Sequence, residues 1–105
     1  MGLKIYWTDS AKIEVKSIYV FFKRETSAVV AKKFIKEITD QVKLLIDQPY
    51  LGKVDQQLIG SSREFRHLIY GNYKIIYWLN IDNDQVEIWD VFDCRQEPLK
   101  IKRTK

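Results

Sequence analysis

The sequence predicts an α+β fold of order β-α-α-β-β-β, a helical hairpin packed on a small, mainly antiparallel sheet. Three observations lead to it. Residues 3–8 and 63–93 alternate apolar and polar side chains with a period of two, the signature of half-buried strands. Between them, residues 11–45 repeat their apolar positions every three or four residues, the signature of helices with one buried face. The last three alternating stretches are joined by short segments rich in Gly, Asn and Asp, which makes them an antiparallel meander.

The elements follow in order. Leu3, Ile5 and Trp7 alternate with Lys4, Tyr6 and Thr8, predicting a strand. Thr8-Asp-Ser10 then offers oxygens to the free N–H groups of a helix start. Ala11, Val15, Ile18 and Phe22 form the stripe of that first helix. Val20 and Phe21 lie off the stripe, which predicts a second covered side late in the helix. Thr26 or Ser27 caps a second helix reaching about Ile46, with Ala28, Ala31, Ile35, Ile38, Val42 and Leu45 as the cleanest periodic signal in the chain. So short a link makes the two helices antiparallel neighbours. Pro49 and Gly52 end the second helix, because proline donates no hydrogen bond and disfavours helix in the residue before it. Strands are then predicted over 63–70, 73–80 and 85–93, with turns at Gly71-Asn72 and at 81–84.

Length and composition bound the function. A chain of 105 residues has room for one domain, and 46% hydrophobic with 30% charged residues is a globular balance. The longest apolar run, Ile18 to Phe22, is far short of a membrane span, and the N-terminus lacks the pattern of a signal peptide, so a cytoplasmic protein without a membrane partner is expected. One cysteine, Cys94, and one histidine, His67, assemble neither a disulfide nor a zinc cluster, and no metal or cofactor is expected. The formal charge of +4 is unevenly placed: residues 1–94 hold thirteen basic and thirteen acidic side chains, so the whole excess arises from Arg95 onward.

With these elements in place, Ala11, Leu45 followed by Pro49 and Gly52, Arg63-Glu-Phe-Arg66, Gly71-Asn-Tyr-Lys-Ile-Ile-Tyr77 and Val91-Phe-Asp-Cys-Arg-Gln-Glu-Pro98 resemble the toxin half of bacterial type II toxin–antitoxin pairs in the RelE/ParE superfamily, the plasmid stabilisation proteins. The likeness spans residues 3–98, so a single toxin-like domain is expected over 1–98 and a basic tail over 99–105. It implies a protein that blocks growth when free, is neutralised by a cognate antitoxin encoded beside it and joins it in a toxin–antitoxin hetero-oligomer. It does not choose between DNA gyrase, the target of the ParE-like branch, and messenger RNA in the ribosome, the substrate of the RelE-like nucleases. A shared fold hosts both, so the side chains must decide.

Metal-independent RNA cleavage by the ribose 2′-oxygen needs cations for the transition state, a base and an acid. The resemblance carries Arg95 onto an expected nuclease arginine and Lys74 onto a position where arginine is usual. Lysine there lacks the planar fork that clamps phosphate. Arg66 completes the cation set, and His67, near where some relatives place a catalytic lysine, is the candidate acid–base group. The family's C-terminal Tyr or His–Tyr pair is absent: no Tyr follows Tyr77, no His follows His67, and Asp93 stands where many members have histidine. An ordinary carboxylate, with a pKa of about 4, is a poor acid at neutral pH. If the 63–70 strand is regular, Arg63 and Arg66 point to opposite faces, one of them pairing with Glu64, Glu87 or Asp90.

Other residues have plainer roles. Ser61-Ser62 lack a nucleophile elbow and read as loop, and Cys94 reads as a small buried hydrophobe. Trp7 belongs to the core, whereas Trp78 and Trp89, half-exposed, join Arg63, Arg95, Lys100, Lys102 and Arg103 as residues that bind the target or antitoxin. The basic end suits ribosomal RNA, gyrase-held DNA or an acidic antitoxin segment. The leading expectation is a ParE-like, gyrase-directed toxin, since the acid–base pair is missing. The alternatives are a ribosome-dependent mRNA endonuclease using Arg95, Lys74, Arg66 and His67, and a detoxified protein that only binds antitoxin.

Overall fold

The computed structural model describes residues 2–95. Lys100, Lys102 and Arg103, and with them the predicted tail, lie outside the described residues. Strand β1 (Lys4–Trp7) leads into α1 (Asp9–Glu25), and α2 (Ala28–Lys43) follows after two residues and closes with a 3-10 turn, Leu44–Ile46. Both helices begin where a side-chain oxygen is available. Thr8 accepts from the Ala11 N–H and donates to the Ile88 carbonyl, tying α1 to the sheet, and Ser27 accepts from the Val30 N–H.

The sheet has five strands in the order β1-β5-β4-β3-β2, with β2 at Lys53–Val54, β3 at Arg66–Tyr70, β4 at Tyr73–Asn80 and β5 at Gln85–Asp93. β1 runs parallel to β5, and every other pair is antiparallel. A parallel neighbour needs a long crossover, which the helical hairpin supplies. Gly71, at φ 59°, provides the positive dihedral of the two-residue β3–β4 turn, and Asp84, at φ 53°, does the same beside β5.

Residues of alternate parity build two apolar layers. On one face Leu68, Tyr73, Ile75, Tyr77, Val86, Ile88 and Val91 meet Ala11 and Ile18 of α1 and Ile38, Val42 and Leu45 behind them. On the other, Ile76 and Phe92 pack with Leu58 and Phe65 from the 55–65 segment, flanked by Trp78 and Trp89. The register of β4 and β5 slips after Ile76, which leaves Trp89 as the extra residue of a β-bulge, edge-on to Phe65 at 5.5 Å.

Several expectations change here. The strand predicted over 63–70, the second of the four expected, starts at Arg66, so the parity argument linking Arg63 to Arg66 lapses. Two-residue β2 carries too few side chains to show a period. Val20 and Phe21 remain 48% and 46% exposed, because α1 packs on one side only. Cys94 is exposed, one residue beyond the end of β5. Trp7 is half-buried against the helix-side layer, and Trp78 and Trp89 are half-buried on the opposite face.

Candidate functional site

The functional candidates cluster around the 49–67 segment and the end of β5. Tyr77, fully buried in β4, donates its hydroxyl hydrogen to the Pro49 carbonyl at 2.8 Å and accepts from the Gly52 N–H at 2.9 Å. One phenol thereby pins the turn that follows α2. A Cβ at Gly52 would sit 2.5 Å from the His67 carbonyl and 2.7 Å from the Tyr77 ring, so only glycine lets the loop approach this closely.

Asp55 comes next, directly after β2. Its side chain has no exposure. One carboxylate oxygen accepts from the Gln57 N–H at 2.9 Å, capping a short 3-10 turn at Gln56–Leu58. The other accepts from His67 Nδ1 at 2.9 Å and from Lys74 Nζ at 3.2 Å. A carboxylate can only accept, so His67 carries its proton on Nδ1 when neutral, and its Nε2 is left as an acceptor. Burial, then the Lys74 charge, lower the His67 pKa below its ordinary 6.5, while Asp55 pulls the other way. The neutral imidazole could take a proton, with an ammonium close by. Among the described residues no group of three or more His, Cys, Asp or Glu could hold a metal ion.

Arg66 lies on the other side of the sheet. It shares the parity of Leu68 and Tyr70, which face the helices, and donates to the Gly52 carbonyl at 2.9 Å, pairs with Glu64 at 3.3 Å and stacks over Tyr50. Arg95 follows β5 and forms a two-pronged pair with Asp93, at 3.0 and 2.7 Å, across from Tyr73. The Asp93 carboxylate that stands in the family's histidine position is thus engaged by Arg95. Of the four nuclease candidates, His67 and Lys74 meet through Asp55, whereas Arg66 and Arg95 are held elsewhere by partners of their own.

Arg63 enters a different arrangement. Its guanidinium sits 4.8 Å from the Trp78 ring centroid and 5.0 Å from that of Trp89. Glu87 accepts from the Trp89 indole N–H at 3.1 Å and from the Asn80 amide at 2.8 Å. The three binding candidates Arg63, Trp78 and Trp89 therefore form one cation–aromatic patch on the face away from the helices. Ser61 donates to the Leu58 carbonyl at 2.6 Å, the turn role expected of it.

Sequence reasoning missed Asp55 and the Tyr77 hydroxyl. Asp55 was open to detection as an aspartate two residues before the N–H it caps. The reach of Tyr77 to residues 49 and 52, across more than twenty residues of chain, has no local signal.

A family model described as the ParE toxin of the type II toxin–antitoxin system, parDE, matches residues 5–98. No curated protein sequence matches the chain. Among solved structures, the chromosomal ParDE toxin–antitoxin system of P. aeruginosa is similar with a TM-score of 0.71 at 17% identity, over 87% of this chain and 95% of that one. The toxin–antitoxin complex RelBE2 of Mycobacterium tuberculosis gives 0.64 at 14% identity, over 89% and 99%. A double arginine-to-alanine variant of E. coli toxin RelE in the free state gives 0.53 at 14% identity, over 98% of each chain. At such identities the structural likeness speaks for the fold alone. The family match covers nearly all of the sequence, β1 through the residues after β5, and the chain belongs to the ParE toxins of type II toxin–antitoxin systems.

Proposed function

We propose that this toxin inhibits growth by binding DNA gyrase, not by cutting RNA, and that it works in the cytoplasm under the control of an antitoxin encoded beside it. The observation that carries this reading is the separation of the nuclease candidates. Arg66 is spent on the Gly52 carbonyl and Glu64, and Arg95 on Asp93 across from Tyr73, while His67 and Lys74 meet at Asp55 instead. A transition state of RNA cleavage needs its cations, base and acid around one phosphate, and this division does not supply them. The ParDE system and the RelBE2 complex among the similar folds support an antitoxin partner for this chain.

A second reading, as a ribosome-dependent endonuclease, draws on one observation, the neutral His67 beside Lys74. Induction without the antitoxin separates the two, with RNA 5′ ends mapped and gyrase supercoiling assayed. A block of supercoiling with intact messages is expected; codon-phased cuts in translated messages would overturn the gyrase reading, and normal growth would point to a detoxified antitoxin binder. Arg95→Ala is expected to weaken growth inhibition about tenfold, as an exposed arginine in a binding hot spot does, while His67→Ala has the smaller effect. Complete loss with His67→Ala alone would bring back acid–base catalysis.

A further inference from the structure

Helix α1 has two apolar faces, and the described elements cover one. Ala11, Ile18 and Phe22 pack into the helix-side layer, whereas Ile13, 62% exposed, Val20 and Phe21 line a shallow hollow on the outer side of the helix. The hollow measures about 490 Å³, and Lys16, Ser17 and Arg24 complete its walls. Single apolar residues on a surface need no explanation, but three in one row along a helix form the seam of a helix–helix contact.

This seam carries opposite charges at its two ends. Asp9 stands in the first turn of α1 and Arg24 in the last. Both are exposed, and the Arg24 guanidinium reaches its neighbour Glu25 at 3.4 Å, a surface pair that exchanges partners at little cost. Ser17 sits between them. Arg24 follows it by seven residues and Asp9 precedes it by eight, about 10.5 and 12 Å along the axis. Val20 and Ile13 lie about 4.5 and 6 Å from it in the same two directions. At about 100° per residue, Asp9, Ile13, Val20 and Arg24 all fall on one side of Ser17.

We propose that α1 pairs with α1 of a second copy of this chain, antiparallel about a two-fold axis at Ser17. Such an axis brings equal distances level and sets each side of the seam against the same side. Val20 then meets the partner's Ile13, Arg24 meets the partner's Asp9, and each contact occurs twice. The small Ser17 lets the backbones approach at the centre, with Phe21 flanking it on the other side. A nucleic acid suits Lys16 and Arg24 but neither the apolar row nor Asp9. A different protein would need acid and base in the reverse order along its own surface, which a second copy supplies by symmetry. Residues 1–94 hold equal numbers of basic and acidic side chains, so the two bodies carry no net repulsion. The pairing is independent of which target the toxin binds.

A single helix pair is a small interface, below about 1,200 Å² in total, so a monomer–dimer equilibrium with a dissociation constant of about 50 µM is expected. Sedimentation velocity of the full chain over about 1–500 µM reads it. Val20→Glu, which places a charge in the seam, is expected to weaken association about tenfold or more. Arg24→Asp and Asp9→Arg are each expected to weaken it about tenfold, and an equimolar mixture of the two to restore it, since the mixed dimer regains both ion pairs. Where Asp9→Arg loosens the start of α1, disulfide trapping keeps the test decisive. With the exposed Cys94 replaced by Cys94→Ser, Ser17→Cys is expected to cross-link two chains, whereas Lys12→Cys, on the far side of α1, is not. A chain that stays monomeric at the highest concentration, a dimer indifferent to Val20→Glu, well-folded charge variants that mixing does not rescue, or equal cross-linking by Lys12→Cys would each overturn the proposal. So would methyl resonances of Ile13 and Val20 that shift only when the protein encoded beside this one is added, an outcome that assigns the seam to that partner.

Discussion

Asp55 is the side chain on which the 53–67 region turns. Two cationic or ionisable partners and one backbone N–H converge on a carboxylate that water does not reach. Asp55→Ala strands Lys74 without its counter-charge and frees the turn at residue 57, so a loss of about 3 kcal/mol in unfolding free energy is expected by urea titration. His67 adds a pH dependence whose sign follows from its lowered pKa. The unfolded chain takes up the proton at the ordinary value of 6.5, the folded chain only at lower pH. Neutral His67 therefore supports the fold fully above that value, and stability falls as pH drops toward the folded pKa. The urea midpoint should decrease between about pH 7 and 5, and His67→Gln should flatten the decrease. Lys74→Met, which removes a charge that disfavours protonation, should raise the His67 midpoint in an NMR titration of the ring. Of this cluster only His67 and Lys74 were legible in the sequence. Asp55 was missed: the Asp-Gln-Gln step signals a turn cap at most, and only the fold buries its carboxylate beside His67 and Lys74.

At the scale of elements, the helices were the most readable part of the chain. Thr8 and Ser27, each among the caps the sequence offered, begin them, and of the α2 stripe Ala31, Ile38, Val42 and Leu45 are buried while Ala28 and Ile35 are half-buried. The late turn of α1 was misread, since apolar residues off a stripe predict a second neighbour and none of the described elements covers Phe21. This has a measurable consequence. Phe22 lies 4.7 Å from Phe34, centroid to centroid, inside the aromatic group that reaches Tyr73, whereas Phe21 is 46% exposed. Phe22→Ala should cost about 2 kcal/mol of stability, while Phe21→Ala should stay within about 0.5 kcal/mol. Thermal or urea unfolding of the two variants side by side checks the difference. Strands β4 and β5 were placed at the limits read from their period, and β3 lost its first three residues because Arg63 leaves the ladder to stack between Trp78 and Trp89.

At the scale of the whole molecule, the sheet is covered on both faces, by the helical hairpin on one and by the 55–65 segment on part of the other. Ile75 and Ile76, adjacent in β4, point to opposite layers and are both fully buried. Truncation to Ala is expected to cost about 3 kcal/mol at either position. A much smaller loss at Ile76, measured by urea unfolding, would mean that the second layer contributes little. Local periodicity and turn chemistry were enough to determine the helical hairpin, the meander and the α+β class, because each depends on residues three, four or two positions apart. The likeness to a toxin family was legible for the same reason, being carried by short motifs on those elements. Only the tertiary structure decided that β1 lies parallel beside β5, that Asp55 joins His67 to Lys74, and that Arg66 and Arg95 sit apart from them. Those contacts link positions 12 to 80 residues apart, and a linear pattern holds no record of which distant groups the fold brings within hydrogen-bonding distance.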